Sequence, residues 1–256
     1  MKKLIFTLLV VATTGLNAQI MVVNEIETES PENFSTVVTQ WMTAIKTALE
    51  MEDTKTYTFS EPGTKKMQFL QFHETLTDMV AYRNKQDENQ EKIWGTLQNM
   101  DPLPEGTIDA FNDVTSFRES SVWEFMPELS TTPETWSILS TAEKDEHFYR
   151  RIQYVTLKMN QDNAYEDWNK KMNALDKKLG ISYHIAIFKS VFGAKDADYM
   201  VMCIDTSQFD YFSNWEKRTE IREQSAEYKA LVDELSLSQW SIISEFTWNR
   251  VLELTF

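Results

Sequence analysis

Three histidines, one cysteine and eight tryptophans are the side chains of this 256-residue chain best suited to chemistry or ligand contact. His73, His147 and His184 stand far apart in sequence, and no H-x-x-x-H or C-x-x-C spacing is present, so a conventional zinc site has no local support. An imidazole titrates near neutrality, which makes His184 and His73 the candidate catalytic residues, as general bases or as donors that orient a ligand. The competing reading is a half-buried histidine with a backbone partner. Cys203 sits inside the apolar run Met200-Val-Met-Cys-Ile204 with no cation beside it to lower its pKa, and reads as a buried structural thiol. The sequence contains no G-x-S-x-G elbow, Walker A loop or G-x-G-x-x-G turn, so hydrolase, nucleotide and dinucleotide chemistry lack support. The acidic clusters Glu25, Glu27, Glu29 and Asp87, Glu88, Glu91 read as solvated faces, without an EF-hand loop. Neither a metal nor a cofactor is expected.

The aromatic residues suggest binding more than reaction. Alternation along Tyr154–Met159 puts Val155, Leu157 and Met159 toward a helix and leaves Tyr154, Thr156 and Lys158 on the other face. Trp248 and Arg250 share one face of the last strand, and Trp123 holds the equivalent place earlier in the chain. Together with Tyr57, these make Tyr154, Trp248, Arg250 and Trp123 the candidate ligand-binding residues. Large aromatic faces with a few polar tips suit a small apolar or aromatic molecule, for which the rings supply contact area and the tips orientation. Ordinary packing between sheets is the alternative, and a one-residue slip in register would reverse every face assignment.

The elements that must hold these residues read as one unit written twice. In the second half, the strand from Tyr154 leads to a helix from an Asn163 cap to Leu179, closed by Gly180. Two β-rich runs, Tyr183–Phe192 and Asp198–Asp205, follow around a Gly193 turn; helical spacing over Phe209–Leu235 and a strand over Glu245–Leu254 complete a β-α-β-β-α-β order. The first half repeats it: a strand at Met21–Glu27, a helix started by Ser30-Pro31, strands at Tyr57–Phe59 and Met67–Phe72, a helical stretch after Thr77, and a closing strand from Ser121 limited by Pro127. Trp41 pairs with Trp168, Tyr57 with Tyr183, Met67 with Met200, Tyr82 with Trp215 and Trp123 with Trp248, at offsets that rise across a longer hairpin in the second copy and fall back across an insertion near Asp101–Gly106 in the first. The expected organisation is a leader at 1–18, a first repeat at 19–130, a linker at 131–147 and a second repeat at 148–256.

The leader reading rests on Met1-Lys2-Lys3, a mostly apolar run to Leu16 too short for a stable span, and the small residue Ala18. Cleavage near Ala18 would export the protein to a periplasm or the medium, with no membrane association afterwards. A formal net charge of -15 argues against nucleic acid and anionic lipid as partners, since both need clustered cations. A monomer or weak homodimer is expected.

The element order is that of a ferredoxin-like unit, and its duplication resembles the dimeric α/β-barrel superfamily, here with both copies in one chain. The resemblance implies an α+β fold in which two antiparallel sheets, each covered by helices on one face, pack their bare faces together as an intrachain barrel. It covers nearly the whole chain beyond the leader but rests on element order rather than a diagnostic motif. That superfamily includes cofactor-free monooxygenases, haem-degrading enzymes, chlorite dismutase-like proteins and polyketide cyclases, so it implies a fold more firmly than a function. The haem-degrading pattern, a helical Trp followed about two turns later by a ligating His, starts at Trp215 but meets Glu223, and no His follows. The leading expectation is an exported protein that binds a small molecule between its sheets. The alternatives are a cofactor-independent monooxygenase or isomerase with a strand histidine as base, and a structural or interaction module with a filled core.

Overall fold

The computed structural model describes residues 20–29, 31–100, 115–194, 196–234 and 240–255. The leader, the Ser30 cap and the insertion near Asp101–Gly106 lie outside the described residues. The chain runs β1 (Ile20–Thr28), α1 (Pro31–Leu49), β2 (Thr56–Ser60), β3 (Lys66–His73), α2 (Leu76–Glu88), α3 (Gln90–Gln98) and β4 (Thr115–Phe125). A single 3₁₀ turn (Pro127–Leu129) and two short helices, α4 (Thr132–Thr135) and α5 (Thr141–Glu146), lead to the rest. There follow β5 (Tyr149–Leu157), α6 (Asp162–Lys178), β6 (His184–Phe192), β7 (Tyr199–Asp205), α7 (Gln208–Glu223), α8 (Ala226–Glu234) and β8 (Trp240–Thr255). No helix of the described residues is long and apolar enough to cross a membrane.

Local chemistry explains most of these boundaries. Thr75 caps α2 by accepting the Asp78 N–H at 3.1 Å, and Ser207 caps α7 by accepting the Asp210 N–H at 3.0 Å. The helix expected from an Asn163 cap starts two residues earlier, at Asp162 behind Gln161, and has no side-chain cap. Gly180, with φ +71°, ends α6, and the Ile181 N–H closes back on the Asp176 carbonyl at 2.9 Å. The helical spacing after Phe209 is interrupted between Glu223 and Ala226, so two helices stand where the spacing predicts one.

The eight strands form one closed antiparallel barrel in the order β1-β3-β2-β8-β5-β7-β6-β4. The first half contributes β4-β1-β3-β2 and the second β8-β5-β7-β6, so the halves run in the same order around the ring. They join edge to edge: Phe59 stands opposite Arg250 at the β2–β8 seam, and Phe125 opposite Phe188 at the β4–β6 seam. Closure leaves no unpaired edge, and an eight-stranded barrel is just wide enough for its own side chains to fill.

Alternation sorts each strand between the two sides of this wall. Met21 and Val23, Phe59, Leu70, Trp123 and Phe125, Ile152, Ala186 and Phe188, Met200 and Met202, and Trp248 form the inner cluster. The outer side is covered by helices. Phe34, Val38, Met42 and Ile45 of α1 pack with Ile93 and Leu97 of α3 over Ile26 and Met67, while Tyr165 of α6 lies with Leu129 over Val155, Ile187 and Tyr199. Val155 therefore faces a helix, as alternation predicts. The Met67–Met200 correspondence fails, because Met67 points outward and Met200 inward.

The segment expected to be a mere linker, 131–147, is part of the fold. The Thr131 N–H donates to the Ile185 carbonyl at 2.9 Å, and the Thr131 hydroxyl accepts the Ile185 N–H at 2.9 Å, pinning the segment beside β6. Trp136, which follows α4, is buried in the inner cluster. On the other hairpin of the second half, Gly193 has φ +78° and lies so close to β4 that a Cβ would stand 2.3 Å from the Ser120 carbonyl oxygen. Gly193→Ala should lower stability by more than about 1 kcal/mol, from left-handed strain plus this collision, read as a lower urea midpoint.

Candidate functional site

The barrel interior is filled at its waist and different at its two ends. Trp123 and Trp248, each 1% exposed, fill the middle together with Phe59, whose ring lies 6.1 Å from that of Trp248. Beyond this plug a cavity of about 220 Å³ remains, lined by Val23, Ser121, Ser244 and the aromatic rings of Trp123, Tyr154, Phe246 and Trp248. Trp123 and Tyr154 stack nearly parallel at 5.4 Å, and Phe246 meets Tyr154 edge-on at 5.6 Å. The Trp123 indole donates to the Ser121 hydroxyl at 2.8 Å, which holds the ring in place.

The rim of this cavity is charged. Glu25 accepts from Gln68 at 3.2 Å and pairs with Lys66 at 3.1 Å, and Glu119 completes the lining. Burial pushes the Tyr154 phenol above its ordinary range, and the nearby Glu119, Glu25 and Glu61 act in the same direction. The cavity thus offers stacked aromatic walls, one phenol and a mixed acid–base–amide rim. It is smaller than the roughly 300–1,000 Å³ of drug-sized sites, which restricts it to a small ring.

The opposite end is basic. Arg150 projects from the same face of β5 as Ile152 and is 4% exposed, with its guanidinium 5.6 Å from the rings of Phe59 and Trp136. His184, on the face of β6 that carries Ala186 and Phe188, places Nδ1 2.8 Å from the Thr135 hydroxyl. The rings of His184, His147 and Trp136 form an edge-to-face trio with centroids 5.1–5.6 Å apart. His147 directs Nδ1 at the Glu143 carbonyl at 2.6 Å, an arrangement in which Nδ1 carries the proton. Arg250 pairs with Asp145 at 3.2 Å and lies over the Tyr57 ring at 5.2 Å.

Five of the seven sequence-predicted residues are therefore divided between these ends and the waist, and not gathered in one place: Tyr154, Trp123 and Trp248 border the cavity, while Tyr57 and Arg250 lie away from it. The two candidate bases are separated by the barrel wall. His73 ends β3 on the outer side, against the Tyr82 ring at 5.4 Å, with Nε2 buried and unpartnered. The expectation that it could line the lumen is corrected by the alternation of β3, which sends Leu70 inward and His73 outward. His147, isolated in sequence, is the residue that meets His184; no spacing signal connects the two. Cys203 is buried against Tyr149 and Tyr211, and burial raises its pKa. Among the described residues, no group of three or more His, Cys, Asp or Glu could hold a metal ion. A groove of about 530 Å³ outside the barrel, between 127–135 and the end of α6, is lined by apolar groups such as Pro127, Pro133 and Ile181 together with Asn173, Asp176 and Lys177.

Burial lowers the His184 pKa from 6.5 to about 4, helped by His147 and Arg150 and opposed by Asp205. The folded protein therefore keeps this imidazole neutral over a range in which the unfolded chain protonates it. Stability is fully present above the unfolded value and falls as the pH drops from about 7 toward about 4, by no more than about 2 kcal/mol after allowing for solvent screening at this half-buried site. His73, also lowered by burial, contributes with the same sign. Urea midpoints measured across this range should show the loss, and His184→Gln should flatten it.

A scan against protein-family models gives no match, and no curated protein matches the chain. Solved structures do. An anthrone oxidase-like protein aligns with a TM-score of 0.53 at 13% identity, over 91% of this chain and 92% of its own. A heme-binding protein from Thermus thermophilus aligns with a TM-score of 0.50 at 11% identity, over 93% of each chain. Both alignments span nearly the whole chain, so the closed eight-stranded antiparallel barrel is a fold this chain shares with these neighbours. At such identities the likeness concerns the fold and not the reaction.

Proposed function

We propose that this protein binds a small, largely apolar or aromatic molecule in the cavity bordered by Trp123, Tyr154, Phe246 and Trp248. The observation that carries this reading is the stacked Trp123–Tyr154 pair facing about 220 Å³ of space inside the barrel. Flat rings supply contact area at low entropic cost, and the Tyr154 phenol with the Glu25–Lys66–Gln68 rim supplies orientation. The reading extends to a protein exported after loss of residues 1–18 and built from two fused copies of one ferredoxin-like unit. The matching strand order of the halves supports that duplication.

Calorimetric titration with phenol, p-cresol and indole tests it. At least one should bind, and Ser244→Phe, which fills the cavity from β8, should abolish the heat without lowering the thermal midpoint. Absence of heat with all three, or binding unaffected by Ser244→Phe, would defeat the proposal.

A second reading, an oxygenase or isomerase with His184 as base, is favoured by its neutral imidazole, held at a pKa of about 4. It is weakened by position, since His184 stands at the basic end and does not line the aromatic cavity. Unchanged turnover of an identified substrate in His184→Ala would dispose of it.

A further inference from the structure

The most deeply buried arginine of the described residues, Arg150, has no carboxylate partner among them. Arg222 chelates Asp176, Arg151 meets Glu245 and Arg250 meets Asp145. Arg150, 4% exposed, has only main-chain partners: Nη1 donates to the carbonyls of His147 at 2.6 Å and Tyr149 at 2.9 Å. Nε and Nη2 make no hydrogen bond among the described residues, yet they are not sealed in as Nε of Arg250 is, so a small polar group can reach them. Those two N–H groups form the side of the guanidinium that matches the two oxygens of a carboxylate.

The surroundings disfavour a cation. His147 and His184 present a ring pair at 5.1 Å, a separation at which two imidazoles could share a cation, but Arg150 and Arg250 make this end repel one. The acids nearby are already engaged. Asp145 pairs with Arg250, and Asp205 accepts the Thr206 N–H at 2.9 Å and the Asn214 amide at 3.2 Å. A buried guanidinium without a counter-ion is costly, and the ordinary remedy is an anion. Phe59 and Trp136 lie on the guanidinium faces and offer apolar surface beside it.

We infer that the basic end of the lumen, built by Arg150 with His184 and His147 and covered by Trp136, binds a small carboxylate carried on an apolar or aromatic body. The carboxylate takes the Nε–Nη2 side of Arg150, and the imidazoles of His184 and His147 flank it. This site lies across the Trp123–Trp248 plug from the aromatic cavity and does not depend on what that cavity holds.

Benzoate is the probe, with its uncharged analogue benzamide and inorganic phosphate as comparisons, each titrated by calorimetry into the full chain. Benzoate should bind at least ten-fold more tightly than benzamide and more tightly than phosphate. Arg150→Met should weaken benzoate at least ten-fold, and Arg150→Lys should fall between, since it keeps the charge but loses the paired N–H groups. Removing a cation that has no counter-ion is not expected to unfold the protein, and the far-ultraviolet dichroism of Arg150→Met checks this; should that variant fail to fold, Arg150→Lys alone must still weaken benzoate. Equal binding of benzoate and benzamide, tighter binding of phosphate than benzoate, or unchanged benzoate affinity in the folded Arg150 variants would each overturn the assignment.

Discussion

Replacing Trp248 with alanine should cost about 3–5 kcal/mol of stability, the range expected for emptying a fully buried tryptophan position. Trp248 is 1% exposed and joins residues of both halves: it sits on β8, packs by Phe59 of β2, and belongs to the same inner cluster as Trp123 of β4. An alanine there removes the waist of the barrel, and the surrounding strands cannot collapse far because the sheet is closed. Urea denaturation should show the loss as a lower midpoint at a nearly unchanged slope. The same variant should join the aromatic cavity to new space, so that it accepts larger rings than the parent. A cost below about 1 kcal/mol would mean that Trp248 is not part of a packed core.

Asp176→Ala should be comparably damaging, at about 3–5 kcal/mol, because it strands buried partners rather than leaving a hole. The Asp176 carboxylate, 2% exposed, accepts from Arg222 Nε at 2.8 Å and Nη2 at 2.5 Å, and from the Tyr183 phenol at 2.5 Å. This one acid links α6, α7 and the residue just before β6. Tyr183 is held from the other side too, since its carbonyl accepts from the Thr131 hydroxyl at 2.6 Å and the Thr135 hydroxyl at 3.2 Å. Loosening Tyr183 therefore disturbs the neighbouring His184, whose Nδ1 contact is with the same Thr135. Asp176→Leu combined with Arg222→Met should recover most of the loss, because a buried ion pair contributes little net stability over a well-packed apolar pair. A double variant no better than Asp176→Ala alone would show that the Tyr183 bond, and not the stranded charge, carries the effect.

Much of the wall was legible from residue spacing. Period-two alternation assigned Tyr154 inward and Val155 outward, and it grouped Trp248 with Arg250 on one face, because a strand has only two faces and burial of one of them marks the other. Where the inferred pairing of halves slipped by a residue, at Met67 and Met200, the face assignment inverted, as period two requires. His73 shows the limit of the same rule: its neighbours give its face, but which face is the lumen follows only from how the sheet curves.

The order of the eight strands and the turn glycines Gly180 and Gly193 are consequences of neighbours within a few residues, where dihedral preference and hydrophobic period act. Sequence alone was enough for those. Sheet closure at the β2–β8 and β4–β6 seams, the filling of the waist by Trp123 and Trp248, the meeting of His147 with His184, and the isolation of Arg150 from any acid are properties of the tertiary structure. Each brings together segments distant in the chain, and such a meeting is decided by which edges pair and how much volume their side chains occupy, quantities that no local spacing records.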